Sequence, residues 1–156
     1  MTNLTQESKC YSAAMKMLMR REHSKLELFQ KLQVKGFDVD IINDSISKLV
    51  KQNYQSDERF AEDFILMRFN QGKGPVRIVF DLKMRGINTF DLSAFDWFKL
   101  AKEIRQKKFG NQLSCDHKET AKQKRFLQSR GFNLDQINQA FKDLSLIHIS
   151  EPTRPY

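Results

Sequence analysis

Apolar residues recur along the chain at helical steps. Val39, Ile42, Ile46 and Leu49 fall at i, i+3, i+7 and i+10, and Leu134, Ile137, Phe141 and Leu144 repeat those steps. Each set describes one stripe on a helix of 3.6 residues per turn. Tyr11, Ala14, Met15, Leu18 and Met19 form a similar stripe earlier in the chain, as do Trp97, Leu100, Ala101 and Ile104. Strand-like alternation is missing, so the pattern predicts an all-α fold. The punctuation is as regular as the stripes. Leu-x-x-basic-Gly-apolar occurs three times, as Leu32 to Phe37, Leu82 to Ile87 and Leu127 to Phe132. Its glycines, Gly36, Gly86 and Gly131, stand where a helix should stop on a left-handed residue. Two residues beyond each comes Asp38, Asn88 or Asn133, the side-chain class that caps a following helix.

Each motif therefore reads as helix, glycine turn, capped helix, and spacings near fifty and forty-five residues suit a three-helix repeat. The predicted organisation is three tandem three-helix repeats, at residues 1–53, 54–95 and 96–145, with residues 146–156 as a disordered tail. Ser24 and Glu27 form a capping box opening the middle helix of the first repeat, and Gly74-Pro75 opens that of the second, with proline at the tolerated first position. The last helix of the second repeat, from Asn88 to about Phe95, is expected to be short. Repeats of this size bury less surface each than one compact core, so the array should lean on contacts between repeats.

Charge adds a direction. The net charge of +8 favours an acidic partner such as nucleic acid. Residues 101–150 carry ten Lys and Arg against five Asp and Glu, while 51–100 carry eight against seven. Lys118, Lys122 and Arg125 share one helix face, with Lys124 and Arg130 nearby; Arg77, Asp81 and Arg85 share another, partly neutralised by Asp81. Catalytic chemistry finds little support. Asp57, Glu58, Glu62 and Asp63 follow Ser56 at a helix start, where acids complement the backbone dipoles. Cys115 and His117 lack the second ligand pair of a zinc site, and Gly72-Lys73-Gly74-Pro75 lacks the length and the preceding strand of a phosphate loop. No apolar run is long enough to cross a bilayer, no signal-peptide pattern opens the chain, and two cysteines give no disulfide framework, so a cytoplasmic protein is expected.

Ser56-Asp57-Glu58-Arg59-Phe60-Ala61, followed by Phe64, Arg68, Gly72-Lys73-Gly74-Pro75, Arg77-Ile78, Leu82 and Gly86-Ile87, resembles the central motif of the bacterial RecX family, regulators of the RecA recombinase. The resemblance extends to Arg21-Glu22-His23-Ser24, Glu27-Leu28 and Lys31-Leu32 before it. After it come Lys108-Phe109-Gly110, Lys124-Arg125-Phe126-Leu127 and Arg130-Gly131-Phe132, so most of residues 11–144 is covered.

The resemblance implies three three-helix repeats in an elongated, curved array. It implies a monomeric, non-enzymatic protein without cofactor or metal that binds the RecA monomer and its nucleoprotein filament. Filament growth, ATP hydrolysis and strand exchange would be limited, in the setting of DNA recombination, repair and the SOS response, with room for weak direct DNA binding. Arg68, Lys73, Arg77, Lys83, Arg85, Lys118, Lys122, Lys124, Arg125 and Arg130 carry over as partner-facing. Gly36, Arg59, Phe60, Gly74, Pro75, Gly86 and Gly131 carry over as structural. Ser145 to Tyr156 matches nothing in the family, resembles translated sequencing-adapter sequence, and is expected to add nothing to the fold. The rival reading is a DNA-binding helix-turn-helix module without sequence preference. Base-specific reading is poorly supported, since Val39 to Val50 holds Lys48 as its only basic residue.

Overall fold

The structure, a computed structural model, describes the backbone of residues 2–149 and the side chains of residues 6–142. Eight helices make up the regular structure among the described residues, and no strand occurs there: α1 (Thr2–Arg20), α2 (Lys25–Val34), α3 (Val39–Lys51), α4 (Asp57–Asn70), α5 (Pro75–Met84), α6 (Trp97–Phe109), α7 (His117–Arg130) and α8 (Leu134–Ile149). The all-α repeat fold expected from the stripes is present.

The recurring hexapeptide is a helix stop written in sequence. Gly36, Gly86 and Gly131 have φ of 97°, 79° and 101°. In each copy the N–H after the glycine reaches back to the leucine carbonyl: Phe37 to Leu32 at 3.3 Å, Ile87 to Leu82 at 3.0 Å and Phe132 to Leu127 at 3.2 Å. The glycine N–H itself donates to the carbonyl three residues back, at Gln33, Lys83 and Gln128. This pairing satisfies carbonyls that the helix end leaves orphaned, and it brings the flanking apolar residues together. Leu32, Leu82 and Leu127 are accordingly fully buried. The same bond pattern ends α3 at Asn53, with φ of 65°, and α4 at Gly72, with φ of 79°.

The chain packs as two compact units. One comprises residues up to Ile65 together with Asp81–Phe90, and the other comprises Leu66–Phe80 with the residues from Asp91 onward. In the first unit α1, α2 and α3 close on Cys10, Ala14, Leu28, Leu32, Ile42, Ile46 and Leu49. The predicted capping box forms, with the Ser24 hydroxyl accepting from the Glu27 N–H and the Glu27 carboxylate accepting from the Ser24 N–H. Asp57 binds structure too: its carboxylate accepts from the Lys25 N–H and from Gln55 Nε2, both at 2.9 Å. Gln55 Nε2 also donates to the His23 carbonyl. Arg59 donates to Glu22 at 2.8 Å and to Asn53 twice, while Phe60 stacks on Phe64 in the core. The carried-over structural roles of Arg59 and Phe60 thus have direct partners.

His23 is buried in this unit. Its Nδ1 lies 3.0 Å from the Arg21 carbonyl and its Nε2 lies 3.0 Å from Lys31 Nζ. The lysine can only donate, so Nε2 accepts, Nδ1 carries the proton, and the imidazole is neutral.

In the second unit α6, α7 and α8 enclose Leu100, Ala101, Leu127, Phe132, Ile137 and Ala140. Asn133 and Gln136 form a reciprocal cap at the start of α8, and Asp96 and Asp116 cap α6 and α7. Arg105 is fully buried, donating to Gln123 Oε1 at 3.3 Å and lying over the Phe141 ring.

Four sequence expectations need correction. The segment from Asn88 to Phe95 forms no helix. Asn, Thr, Asp and Ser compete for their own backbone groups there, and the Asp91 carboxylate takes the Ser93 N–H at 2.9 Å. Trp97 Nε1 claims the Leu92 carbonyl, and Phe95 packs with Phe69 and Trp97 instead of extending a stripe. Second, Val39 and Leu134 are 46% and 70% exposed; both occupy first-turn positions at the margin of their stripe. Third, Met19 is exposed, and the buried face of α1 runs through Cys10 and Ala14. Fourth, α8 continues to Ile149, past the expected limit at residue 145, because no residue before Pro152 prevents a helix. The Leu144 side chain and the rest of the anticipated tail, residues 150–156, lie outside the described residues.

A backbone lock holds the turn between α4 and α5 against the end of α7. The Gly74 N–H donates to the Arg130 carbonyl at 2.8 Å and the Val76 N–H to the Gly131 carbonyl at 2.9 Å. Orphan donors at the start of one helix thus meet orphan acceptors at the end of another. The approach leaves no room for side chains: a Cβ at Gly74 would lie 2.4 Å from the Gly131 carbonyl carbon and oxygen, and one at Gly131 would lie 2.3 Å from Arg77 Cβ.

Gly74→Ala should therefore cost about 3 kcal/mol, at the upper end of overpacking effects. Gly36→Ala, whose Cβ would meet nothing within 4 Å, should cost roughly 1 kcal/mol through its left-handed backbone alone. Chemical denaturation of the two variants checks the difference. A second expectation concerns pH. Burial, chiefly, pushes the His23 imidazolium below its ordinary value of 6.5. Below that pH the unfolded chain takes up a proton that the folded imidazole refuses, so stability should fall on acidification through this window and level off above it. Unfolding free energies across that range should show a shallower slope for His23→Gln.

Candidate functional site

The lock decides where the basic residues of the second unit go. Lys73 lies inside the turn, its N–H held by the Arg68 carbonyl at 3.0 Å. Arg77 lies on the first turns of α5, with its Cβ against Gly131 and its side chain exposed. Arg130, at the end of α7, reaches back with Nη2 to the Gln71 carbonyl at 3.3 Å and lies over the Phe126 ring. Three predicted partner-facing residues, Lys73, Arg77 and Arg130, thus gather around one pair of helix ends. Arg68 sits just before them on α4 and donates to Gln71 Oε1 at 3.1 Å.

Beside this lock is a cleft of 460 Å³, lined by residues that include Gly72, Ile104, Lys107, Lys108, Phe126 and Arg130. Lys108 Nζ lies 5.1 Å from the Phe126 centroid, and Phe109 meets Phe126 edge-on. The lining contains no carboxylate, imidazole, thiol or hydroxyl. Its cations and ring faces can hold an anionic or flat group. Sequence reading passed over Lys107 as a site residue and took Lys108 only as part of a family motif. Their signal was present in the basic last turn of α6, next to Phe109.

The remaining candidates divide. Lys118, Lys122 and Arg125 are exposed along α7, on the single face their spacing predicts. Lys124 instead lies over the Phe141 ring at 5.5 Å. Lys83 is exposed on the part of α5 that belongs to the first unit. Arg85 is engaged within the chain, paired with Glu27 at 3.5 Å, donating to the Asp81 carbonyl and lying 4.8 Å from the Phe64 centroid. Arg85, expected to face a partner, thus also has partners within the chain, in Glu27 and the Phe64 ring. Among the described residues no three His, Cys, Asp or Glu side chains come together as a metal would require, and Cys10 and Cys115 are free thiols. No described helix is long and apolar enough to cross a membrane.

Fold and surface together define an all-helical protein of repeated, glycine-stopped units whose clefts suit binding. Three family profiles match in order: the first three-helix domain of RecX over residues 10–49, the second over 56–91 and the third over 96–141. The regulatory protein RecX of Halorhodospira halophila is 36% identical over 134 residues, covering 82% of this chain and 83% of the relative. That of Acinetobacter baylyi is 39% identical over 137 residues, covering 85% and 86%. A crystal structure of RecX from Lactobacillus salivarius matches with a TM-score of 0.76 at 23% identity, covering 92% of this chain and 99% of that one. The chain belongs to the RecX family.

The dual placement of the basic residues is testable. Arg130→Ala removes the reach to the Gln71 carbonyl and the cover over Phe126, and should cost about 1–2 kcal/mol of stability. Lys122→Ala, on an exposed face, should stay within roughly 0.5 kcal/mol. Parallel thermal melts distinguish them.

Proposed function

We propose that this chain is a non-enzymatic regulator that binds the RecA recombinase, as monomer and as nucleoprotein filament, and restrains filament extension, ATP hydrolysis and strand exchange. Recombination and DNA repair would be modulated as a result. Membership of a family of named regulatory proteins across all three repeats carries this reading. The physical support is the lock at Gly74 and Gly131. It sets the backbones of Lys73, Arg77 and Arg130 on converging helix ends, so that their charges are presented together to an acidic partner. Positive charge speeds association with a DNA-bearing filament and makes it salt-sensitive. A tandem array can also engage successive protomers of a polymer, so that modest contacts add through effective concentration. Inhibition of ATP hydrolysis follows where the array binds an inactive filament geometry more tightly than the active one.

Purified chain should slow DNA-stimulated ATP hydrolysis by the recombinase of the same cell, in proportion to its concentration. Lys73→Glu with Arg77→Glu keeps the Cβ that abuts Gly131 while reversing two charges. The pair should raise the concentration needed for half-inhibition about tenfold or more while leaving the melting temperature within a few degrees. Full inhibition by the double variant would move the functional surface away from the lock.

A further inference from the structure

The first unit carries a groove that none of the expected partner-facing residues lines. It lies between α1 and α2, has a volume of 1140 Å³, and is lined by Lys9, Lys16, Arg20, Arg21, Lys31 and Lys35 among others, with no carboxylate in the lining. Lys9, Lys16 and Arg20 follow one face of α1 at steps of seven and four. A different face buries Cys10 and Ala14 in the core, which leaves the cationic face outward. At 1.5 Å per residue the row spans about 16 Å. Lys31 on α2 and Lys35 at its C-cap stand four residues apart, beside a floor that includes Ala13 and Met17.

Two features mark this as more than a solvated face. Glu22 pairs with Arg59 at 2.8 Å, outside the groove, while Glu27 pairs with Arg85 and with the lining residue Arg21 at 3.2 Å, so Arg21 is compensated although no carboxylate belongs to the lining itself. Lys31 is positioned not by a carboxylate but by the neutral imidazole of His23, whose other nitrogen is held on the Arg21 carbonyl. A neutral acceptor orients the ammonium without cancelling its charge. Apart from Arg21, the cations of this concave lining converge with no carboxylate among them, and such an arrangement raises the local potential for anions.

We infer that this groove binds the phosphodiester backbone of a nucleic acid without reading sequence. Rows of cations several ångströms apart suit a chain of regularly spaced monoanions, and the hydroxyls of Ser8 and Ser12 add donors for phosphate oxygens. The one aromatic ring of the lining, the His23 imidazole, is buried with both nitrogens engaged, and Gln30 is the only amide side chain there, so base identity has little to act on. An acidic peptide would find no sheet edge to pair its own amides. The site stands independently of the proposed recombinase regulation, since it concerns the chain and nucleic acid alone.

The test is fluorescence anisotropy with the full chain, a labelled twenty-nucleotide single strand and a twenty-base-pair duplex, each in two unrelated sequences, across a salt series. Binding should be indifferent to sequence, and its salt slope should fall by about 0.9 for each duplex phosphate neutralised, or about 0.7 on a single strand. Lys16→Glu with Lys35→Glu should weaken binding about tenfold or more and flatten that slope by about two contacts. Lys48→Glu with Lys51→Glu, an equal charge change on exposed α3 positions of the same unit, should change affinity less than threefold. Preference for either strand form supports the inference and identifies the source of the phosphates. Absence of binding by the unaltered chain, unaltered binding by the groove variant, or equal loss in both variants overturns it. So does polyglutamate displacing the strand at equal charge concentration, which would point to an acidic protein segment. Lys16→Gln with Lys35→Gln repeats the measurement should the charge reversal disturb folding, as read by circular dichroism.

Discussion

The second unit depends on two glycines that are distant in sequence and in van der Waals contact in space. Where α7 ends, the Arg130 and Gly131 carbonyls have no helical acceptor role left; where α5 begins, the Gly74 and Val76 N–H groups have no helical partner. Their two hydrogen bonds, at 2.8 and 2.9 Å, satisfy both ends at once. The geometry is possible only without side chains at either glycine, so the same constraint that closes the turn also dictates composition. Gly131 serves twice, as the left-handed stop of α7 and as the surface on which Arg77 Cβ rests. Lys73, Arg77 and Arg130 owe their proximity to it.

Arginine and lysine divide the positive charge between them. Arg59, Arg85, Arg105 and Arg130 are all drawn into the structure, on a carboxylate, a carbonyl, an amide oxygen or a ring face. The planar guanidinium fits such mixed environments, giving several directed donors and a face that stacks. The lysines of the α1–α2 groove and of the α6–α7 cleft are compact, hydrated charges better suited to transient contact with phosphate or acidic protein. The division explains why a list of basic residues read from sequence mixes structural and surface roles.

The limits of the helical pattern follow the same logic. Periodicity is informative where one face of a helix meets one core, as at Ile42, Ile46 and Leu49. It failed at Asn88 to Phe95, where the apolar residues Phe95 and Trp97 join Phe69 in an aromatic cluster fed by an extended path. It also could not reveal that α4 and α5 each pass from one compact unit to the other, at Ile65 to Leu66 and at Phe80 to Asp81. The sequence repeats three times, whereas the chain packs as two compact units, because packing partners are chosen by space and not by repeat boundary.

The sequence by itself determined the all-helical class, the three glycine stops, the capping box at Ser24 and Glu27, and the family, since each rests on local chemistry within a few residues of chain. Backbone groups at helix ends must be satisfied nearby, and only a small set of residues does so, which is why those features can be read directly. Tertiary structure alone decided that Gly74 seats on Gly131, that Arg85 pairs with Glu27 and Arg130 reaches the Gln71 carbonyl, and that Lys9, Lys16, Arg20, Lys31 and Lys35 line one groove. Those facts depend on which helix faces approach, and that is settled by packing between segments tens of residues apart, where no local pattern reaches.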